Sequence, residues 1–198
     1  SGATILNSSV TNSLAGGAIG LNYQGYGSLT LGGPGRASTY TGTTTLASGK
    51  LIVGVDEAIP SGTGKGNVTI APGAGLSATL DLNGHAQTIN ALTASTAGTI
   101  LIDNSSATAA SLTFGANNGA VTLIGGITNS GGGALSITKT GTAAAALSQG
   151  PFTYTGATNV DGGTMTIASD VSGTSGLSVT GAGSKLTFSG GLSASGGI

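Results

Sequence analysis

The chemistry that this sequence could support depends on one histidine and six carboxylates. A Ser–His–acid relay needs a histidine that is oriented by a carboxylate and placed next to a serine hydroxyl. His85 is the only histidine, and Asp81 precedes it by four residues. His85 follows Asn83-Gly84, however, a pair that favours a turn, and no nucleophile elbow surrounds it. We therefore predict a surface-turn histidine and no nucleophilic catalysis.

The acidic residues are spread along the chain rather than gathered in pairs. Glycosidases place two carboxylates on either side of one scissile bond. The acidic residues here are Asp56, Glu57, Asp81, Asp103, Asp161 and Asp170. The sequence has no Trp, and it lacks the Gly-Gly-x-Gly-x-Asp string of the calcium-binding β-roll. We expect turn and strand-face roles for these carboxylates, with a solvated loop at Asp56-Glu57. The sequence predicts no catalytic residue, no metal ligand and no cofactor.

Composition excludes several kinds of partner. The formal net charge is −1 and the five basic residues are scattered, so the chain lacks the basic patch of a nucleic-acid binder. Cysteine is absent, which excludes disulfides and thiolate metal sites. No apolar run approaches the length of a membrane-spanning helix, so we expect no direct membrane insertion of this segment.

Short apolar runs that alternate with Thr and Ser recur along the chain, and they predict β-strands. Val68-Thr69-Ile70 and Leu135-Ser136-Ile137 are examples, with Gly, Asn, Asp or Ser between the runs. Only 4% of the residues are aromatic, which favours a narrow core over that of a sandwich or barrel. We predict an all-β parallel solenoid over residues 1–198, with essentially no helix and about ten turns of roughly 20 residues.

The alternation also predicts which side chains enter the core, because successive strand residues point to opposite faces. Thr and Ser then occupy the outer face. The side chains expected to be buried are Leu29, Leu31, Leu51, Val53, Val68, Ile70, Leu80, Leu82, Ile100, Ile102, Leu112, Phe114, Val121, Leu123, Leu135, Ile137, Met165, Ile167, Leu186 and Phe188.

One stretch of the sequence occurs twice. Thr39-Tyr40-Thr41-Gly42 is followed by Gly49-Lys50-Leu51, and Thr153-Tyr154-Thr155-Gly156 is followed by Gly163-Thr164-Met165. The two copies lie 114 residues apart without a gap, within repeat units of about 27–54 and 133–168. Self-similarity in a chain rich in Gly and Thr is typical of a solenoid.

The repeat contains two tyrosines with the flat rings that can stack on carbohydrate. Because Tyr40 and Tyr154 occupy equivalent positions, we expect each ring to pack over a corner of its own turn, with its hydroxyl at the surface.

Threonine is frequent on the expected outer faces, for example at Thr41, Thr43 and Thr45. Flat Thr arrays on solenoids order water in some ice-binding proteins. The Thr-x-Thr spacing is not sustained over successive turns in one register, so an ice-binding solenoid is a minor alternative.

The duplicated strings resemble the passenger-associated transport repeat of bacterial autotransporters. Leu80-Asp81-Leu82-Asn83-Gly84 is similar to the Leu-Asn-Gly segment that commonly follows such repeats, and the resemblance covers most of residues 27–170. It implies a right-handed parallel β-helix that is secreted across, or displayed on, a bacterial outer membrane. It implies no catalysis. The signal peptide and translocating barrel of a full family member are not among these residues, so we expect a fragment of a longer chain.

Two functions follow from the sequence. The first is a non-catalytic extracellular stalk or adhesin-like passenger, with a host-surface or polysaccharide ligand as a candidate partner. The alternative is a self-assembling subunit of an extracellular filament, because residues 1–20 and 181–198 are strand-patterned and do not resemble caps. The rod ends would then contact neighbouring turns or identical subunits. A polysaccharide-active β-helix enzyme is a further minor alternative.

Overall fold

Short parallel strands that pair from one turn of the chain to the next make up the fold. The computed structural model describes residues 3–6, 9–12, 16–33, 35–94 and 97–194. The strands form three stacks, A, B and C, which the chain visits in that order in each turn. Stack A contains the first parts of β2 (Leu21–Leu31) and β3 (Thr44–Val53), then β4 (Val68–Ile70), β7 (Leu92–Ala94), β10 (Val121–Ile124), β13 (Ala145–Ser148), β15 (Thr164–Ile167) and β18 (Lys185–Phe188).

The other two stacks complete each turn. Stack B contains β1 (Ala3–Leu6), the second parts of β2 and β3, then β5 (Ser77–Asp81), β8 (Thr99–Asp103), β11 (Gly126–Thr128), β16 (Val171–Thr174) and β19 (Leu192–Ala194). Phe152 bridges β11 and β16 in this stack. Stack C contains β6 (Ala86–Ile89), β9 (Ala110–Phe114), β12 (Leu135–Lys139), β14 (Thr158–Val160) and β17 (Leu177–Val179).

The predicted all-β parallel solenoid is confirmed, and the described part of the chain contains no helix. It makes about eight turns rather than the ten expected. The difference arises because turn length varies: paired positions lie 20 residues apart from Ala145 to Met165, but 29 apart from Leu92 to Val121. The extra residues lie partly in longer strands, since β8 and β9 have five residues each and β14 has three, and partly in the corners.

The core is a single apolar column enclosed by the three stacks. All but two of the side chains predicted to point inward are buried. The exceptions, Leu186 and Phe188, are half-buried. Their partners one turn earlier, Met165 and Ile167, are fully buried, so this difference reflects position: β18 lies in the last described turn.

The structure describes the two chain ends only in part. Residues 1–2, 7–8 and 13–15 of the first segment, and residues 195–198 of the second, lie outside the described residues. The expectation that these segments continue the strand pattern holds for β1, β18 and β19. No helix in the described ranges is long and apolar enough to cross a membrane.

A matched pair of substitutions in β10 tests the inward register. Leu123 is 1% exposed, whereas the neighbouring Thr122 is exposed. We expect Leu123→Asp to lower the free energy of unfolding by several kcal/mol, about 3 or more, because the carboxylate has no partner in the core. Thr122→Asp should change it by less than about 1 kcal/mol. Urea denaturation of both variants measures the difference, and equal losses would show that the register is wrong.

Candidate functional site

Each of the six acidic residues accepts a hydrogen bond from the following turn. The donors lie 19 to 31 residues further along the chain, which is about one turn. The pairs are Asp56 with the backbone N–H of Ala86, Glu57 with that of Thr88, Asp81 with that of Ser105, Asp103 with that of Ser130, Asp161 with the hydroxyl of Thr180, and Asp170 with the N–H of Gly191. The carboxylates therefore hold successive turns together and do not meet in one site.

Asp81 is the most heavily bonded of these carboxylates, and it is 1% exposed. Oδ1 accepts the backbone N–H groups of Asn83 and Ser105, both at 3.0 Å. Oδ2 lies 2.6 Å from Lys50 Nζ and accepts the Ser105 hydroxyl at 2.5 Å. Burial alone would raise the pKa of the Asp81 carboxyl, but the bonds from Lys50, Ser105 and Asn83 outweigh it, so this pKa lies below its ordinary value.

The structure separates His85 from the carboxylate that the sequence suggested as its partner. His85 Nδ1 lies 3.0 Å from Asp56 Oδ1, one turn earlier, whereas Asp81 bonds to other groups. The His85 side chain is 31% exposed and that of Asp56 is 69% exposed. His85 follows the turn at Asn83-Gly84, and no serine bonds to its ring in the described part of the chain. A relay of three catalytic groups is not assembled here.

The Asp56-Glu57 loop is exposed, as expected, but its carboxylates are not free in solvent. Glu57 accepts the backbone N–H of Thr88 at 3.0 Å and its hydroxyl at 2.8 Å. The loop therefore fastens the turn that contains β3 to the turn that contains β6.

One lysine is buried inside the solenoid. Lys139 is 0% exposed, and its ammonium donates to the carbonyl oxygens of Thr140, Gly141 and Gly162. Burial lowers its pKa. The alternation of β12 gives a signal for this position, because Leu135 and Ile137 point inward and Lys139 continues the same series. The ammonium serves as a donor for corner carbonyls.

The repeat copies place their tyrosine hydroxyls in the core rather than at the surface, so that expectation is wrong. Tyr40 is 1% exposed and Tyr154 is 0% exposed. Each phenol oxygen bonds to a buried threonine hydroxyl four residues later, at 2.5 Å for Thr44 and 2.6 Å for Thr158. Burial raises the pKa of Tyr154 to about 12, and the bond to Thr158 offsets this rise in part. Because both hydroxyls have an internal partner, neither ring is available to stack on carbohydrate.

An asparagine from the preceding turn clamps a threonine in each repeat copy. Asn12 accepts the backbone N–H of Thr41 at 3.0 Å and donates to its hydroxyl at 2.8 Å. Asn129 makes the same two bonds to Thr155, both at 3.1 Å. These two asparagines extend the repeated unit beyond the segment that the sequence comparison identified.

A second repeated string accounts for the clamps. Val10-Thr11-Asn12-Ser13 and Ile127-Thr128-Asn129-Ser130 precede the tyrosines by different spacings, since Asn12 lies 28 residues before Tyr40 and Asn129 lies 25 before Tyr154. A comparison without gaps therefore misses them. A search that allows corners of unequal length would connect the two strings to the repeat.

The two copies do not occupy equivalent stacks. In the first copy the segment after the tyrosine, Thr44–Leu46, lies in stack A. In the second copy the matching segment, Thr158–Val160, lies in stack C. The copies are thus shifted by one stack, and the same local sequence forms two different corners of the solenoid.

The outer face of stack A carries a threonine column, which corrects the expectation that no register is sustained. Cα partners follow one another from turn to turn with a single interruption: Thr45, Thr69, Thr93, Thr122, Ala146, Thr166 and Thr187. Unequal turn lengths hide this register in the sequence. Only one such column is formed on this face, however, because its neighbours two residues away, such as Ala71 and Ala168, are mostly not threonines.

In the described ranges no three His, Asp or Glu side chains gather where they could hold a metal ion. Comparison with protein-family models, curated proteins and solved structures gave no match. The arrangement of polar groups is therefore the basis for the functional interpretation.

A substitution of Asp81 tests the clamping role through its pH dependence. Because the folded pKa is lowered, the unfolded state binds the proton more readily as pH falls below the ordinary value of about 4. The stability from Asp81 is therefore full at neutral pH and is lost as pH falls through the folded pKa. We expect Asp81→Asn to cost about 1–3 kcal/mol at pH 7 and less at acid pH.

Urea denaturation from pH 7 down to pH 2 measures the Asp81 effect, with Thr122→Asn, an exposed position that carries no carboxylate, as the control. A penalty for Asp81→Asn that is constant over this range would contradict the clamping role.

For the buried hydroxyl of Tyr154 we predict a loss of stability at alkaline pH, opposite to the loss at acid pH predicted for Asp81. Because the pKa of Tyr154 is raised, the stability that its hydroxyl contributes to the fold is complete below about pH 10 and decreases as pH rises toward about 12. Tyr154→Phe should cost about 1 kcal/mol at pH 7. It should also remove the contribution of one tyrosine to the absorbance change at high pH; Tyr40 is buried too and its pKa is raised, so part of the late change remains. Spectrophotometric titration checks this, with Tyr26→Phe, at an 81% exposed ring, as the control. A late absorbance change of undiminished amplitude in Tyr154→Phe would refute the assignment.

Proposed function

We propose that this chain is a non-catalytic segment of an extracellular bacterial stalk, of the adhesin-like autotransporter type. The observation that carries the proposal is the use of all six carboxylates as bonds between successive turns. Groups that could perform acid–base chemistry stabilise the rod instead. The duplicated Thr-Tyr-Thr-Gly strings and their resemblance to passenger repeats support the same proposal.

A long solenoid suits such a role because its turns add length without requiring a larger core. Each turn advances the rod by about 4.8 Å, the spacing of paired strands. About eight turns therefore extend roughly 40 Å along the axis. In this proposal the segment spaces a binding region from the cell envelope and is exposed outside the cell.

One observation favours the second candidate, a filament subunit. Val179 is 46% exposed, whereas its partner one turn earlier, Val160, is 0% exposed. Leu186 and Phe188, on β18 in the next turn, are half-buried. In the filament candidate these side chains would pack against the first turn of a neighbouring subunit. The threonine column of stack A is a weaker argument for ice binding, because its neighbours two residues away on that face are mostly not threonines.

Localisation and assembly together test these proposals. Antibodies against the chain should label intact cells of the source bacterium, and external protease should remove the label. Labelling only after permeabilisation would exclude both extracellular roles.

Electron microscopy of the native material then separates the two candidates. A stalk should appear as isolated rods attached to cells, whereas a filament subunit should form regular fibres. Val179→Lys should shorten or abolish such fibres, because it places a charge on the terminal apolar surface. Thr122→Lys, on the side of the rod, is the matched control.

A further inference from the structure

A groove crosses three successive turns at the corner between stacks A and B. It has a volume of about 440 Å³ and is lined by β2, β3 and the start of β5. Tyr26 forms one wall, Lys50 and Thr79 lie along the strands, and Ser77 is at the opposite end. A second depression of the same volume, around Pro60 on another part of the rod, contains no aromatic side chain.

Tyr26 departs from the behaviour of the other aromatic side chains. It is 81% exposed, whereas Tyr40, Tyr154, Phe114 and Phe152 are each at most 2% exposed. Tyr23 and Phe188 are partly buried against the core. An exposed ring leaves a large apolar surface in water, and such rings are enriched where proteins bind ligands.

A β-bulge holds the ring outward. Between the register pairs Gln24 with Ser48 and Ser28 with Lys50, β2 has three residues where β3 has one. Bulges re-aim side chains and are common beside binding sites. Tyr26 is the middle residue of the three, so the bulge projects its ring away from the strand surface.

The bulge is anchored from the neighbouring turn. The Ser48 hydroxyl, 5% exposed, donates to the carbonyl of Gly25 at 3.0 Å. Gly49 faces the bulge with φ +77°, and a Cβ at this position would lie 2.3 Å from the Gly25 oxygen. Only glycine allows this approach, so β3 supports the projecting segment by both a buried hydrogen bond and close backbone contact.

The polar groups of the groove suit a neutral, hydroxyl-rich ligand. Lys50 Nζ lies 2.6 Å from Asp81 Oδ2, so its charge is compensated, while an ammonium has three donors and this side chain is 35% exposed. Ser77 and Thr79 add hydroxyls that can both donate and accept. An anion would find the Lys50 ammonium already paired with Asp81.

We propose that this groove binds one or two sugar units of a neutral polysaccharide, with a pyranose ring stacked on Tyr26 and its hydroxyls bonded to Lys50, Ser77 and Thr79. The face of a pyranose that carries carbon-bound hydrogens can stack on an aromatic ring. The hydroxyls of the sugar can form hydrogen bonds with the polar rim of the groove. The proposal extends the adhesin-like role by naming a ligand class. The sugar-binding proposal is tested on the purified chain. Failure to bind sugar would therefore not contradict the stalk proposal, which is tested separately by localisation.

The experiment titrates the chain with cello-, chito-, manno- and laminari-tetraose, measured by calorimetry and by tyrosine fluorescence. The sequence has no Trp, and Tyr26 is the most exposed of the four tyrosines, so an emission change that disappears in Tyr26→Phe reports on the groove. At least one oligosaccharide should bind with a dissociation constant below about 1 mM. Tyr26→Ala should weaken binding about tenfold or more, and Tyr26→Phe should bind like the unmodified chain.

Lys65→Ala, in the second depression, is the control and should leave binding unchanged. Circular dichroism of each variant checks that the fold is intact. The proposal is overturned if no oligosaccharide binds, or if Tyr26→Ala binds as well as the unmodified chain. A loss in Tyr26→Phe as large as that in Tyr26→Ala would overturn the stacking geometry.

Discussion

The hydrogen bond between successive turns is the interaction on which this structure depends. One turn of 20 to 29 residues cannot enclose an apolar core, and its extended segments leave their N–H and C=O groups unpaired. The next turn supplies both the backbone partners and the second layer of apolar contacts. Leu21 N–H bonds to the Thr43 carbonyl, Thr44 N–H to that of Asn67, and Val68 N–H to that of Ala91, one turn after another. Each turn is therefore stable only through its neighbours.

Buried polar side chains also take their partners from a neighbouring corner or turn. A few charged residues are therefore enough to connect the turns. A narrow core leaves no room for a solvated charge, so a buried ionic group must receive its partners from an adjacent corner or turn. Asp81 receives donors from Lys50 and Ser105 on opposite sides, and Lys139 bonds to carbonyls of its own corner and of Gly162 in the next turn. Residue types that suggest catalysis in a globular enzyme therefore act here as connections along the rod.

Much of the fold was predictable because strand alternation is a local property. The inward positions of β4 and β12 follow from Val68, Ile70, Leu135 and Ile137 alone. The buried hydroxyl of Tyr154 was missed although alternation gave a signal, because its partner Thr158 shares a strand face with the inward Val160. The threonine column and the asparagine clamps depend on which residues become neighbours one turn later. Unequal corner lengths set that register, and strand alternation in one sequence does not reveal those lengths.

The shift of the repeat copies by one stack limits what the repeat can specify. The same strings form a corner before stack A and a corner before stack C, so they encode corner geometry and not a particular surface. Stacking accounts for the regular strands, the clamps and the buried tyrosines. It does not account for the Gly25-Tyr26-Gly27 bulge, which interrupts the pairing of β2 with β3 and carries a ring that is 81% exposed. An irregularity that weakens the pairing and is nevertheless supported by Ser48 and Gly49 has its physical explanation at the surface, where the ring can meet a ligand.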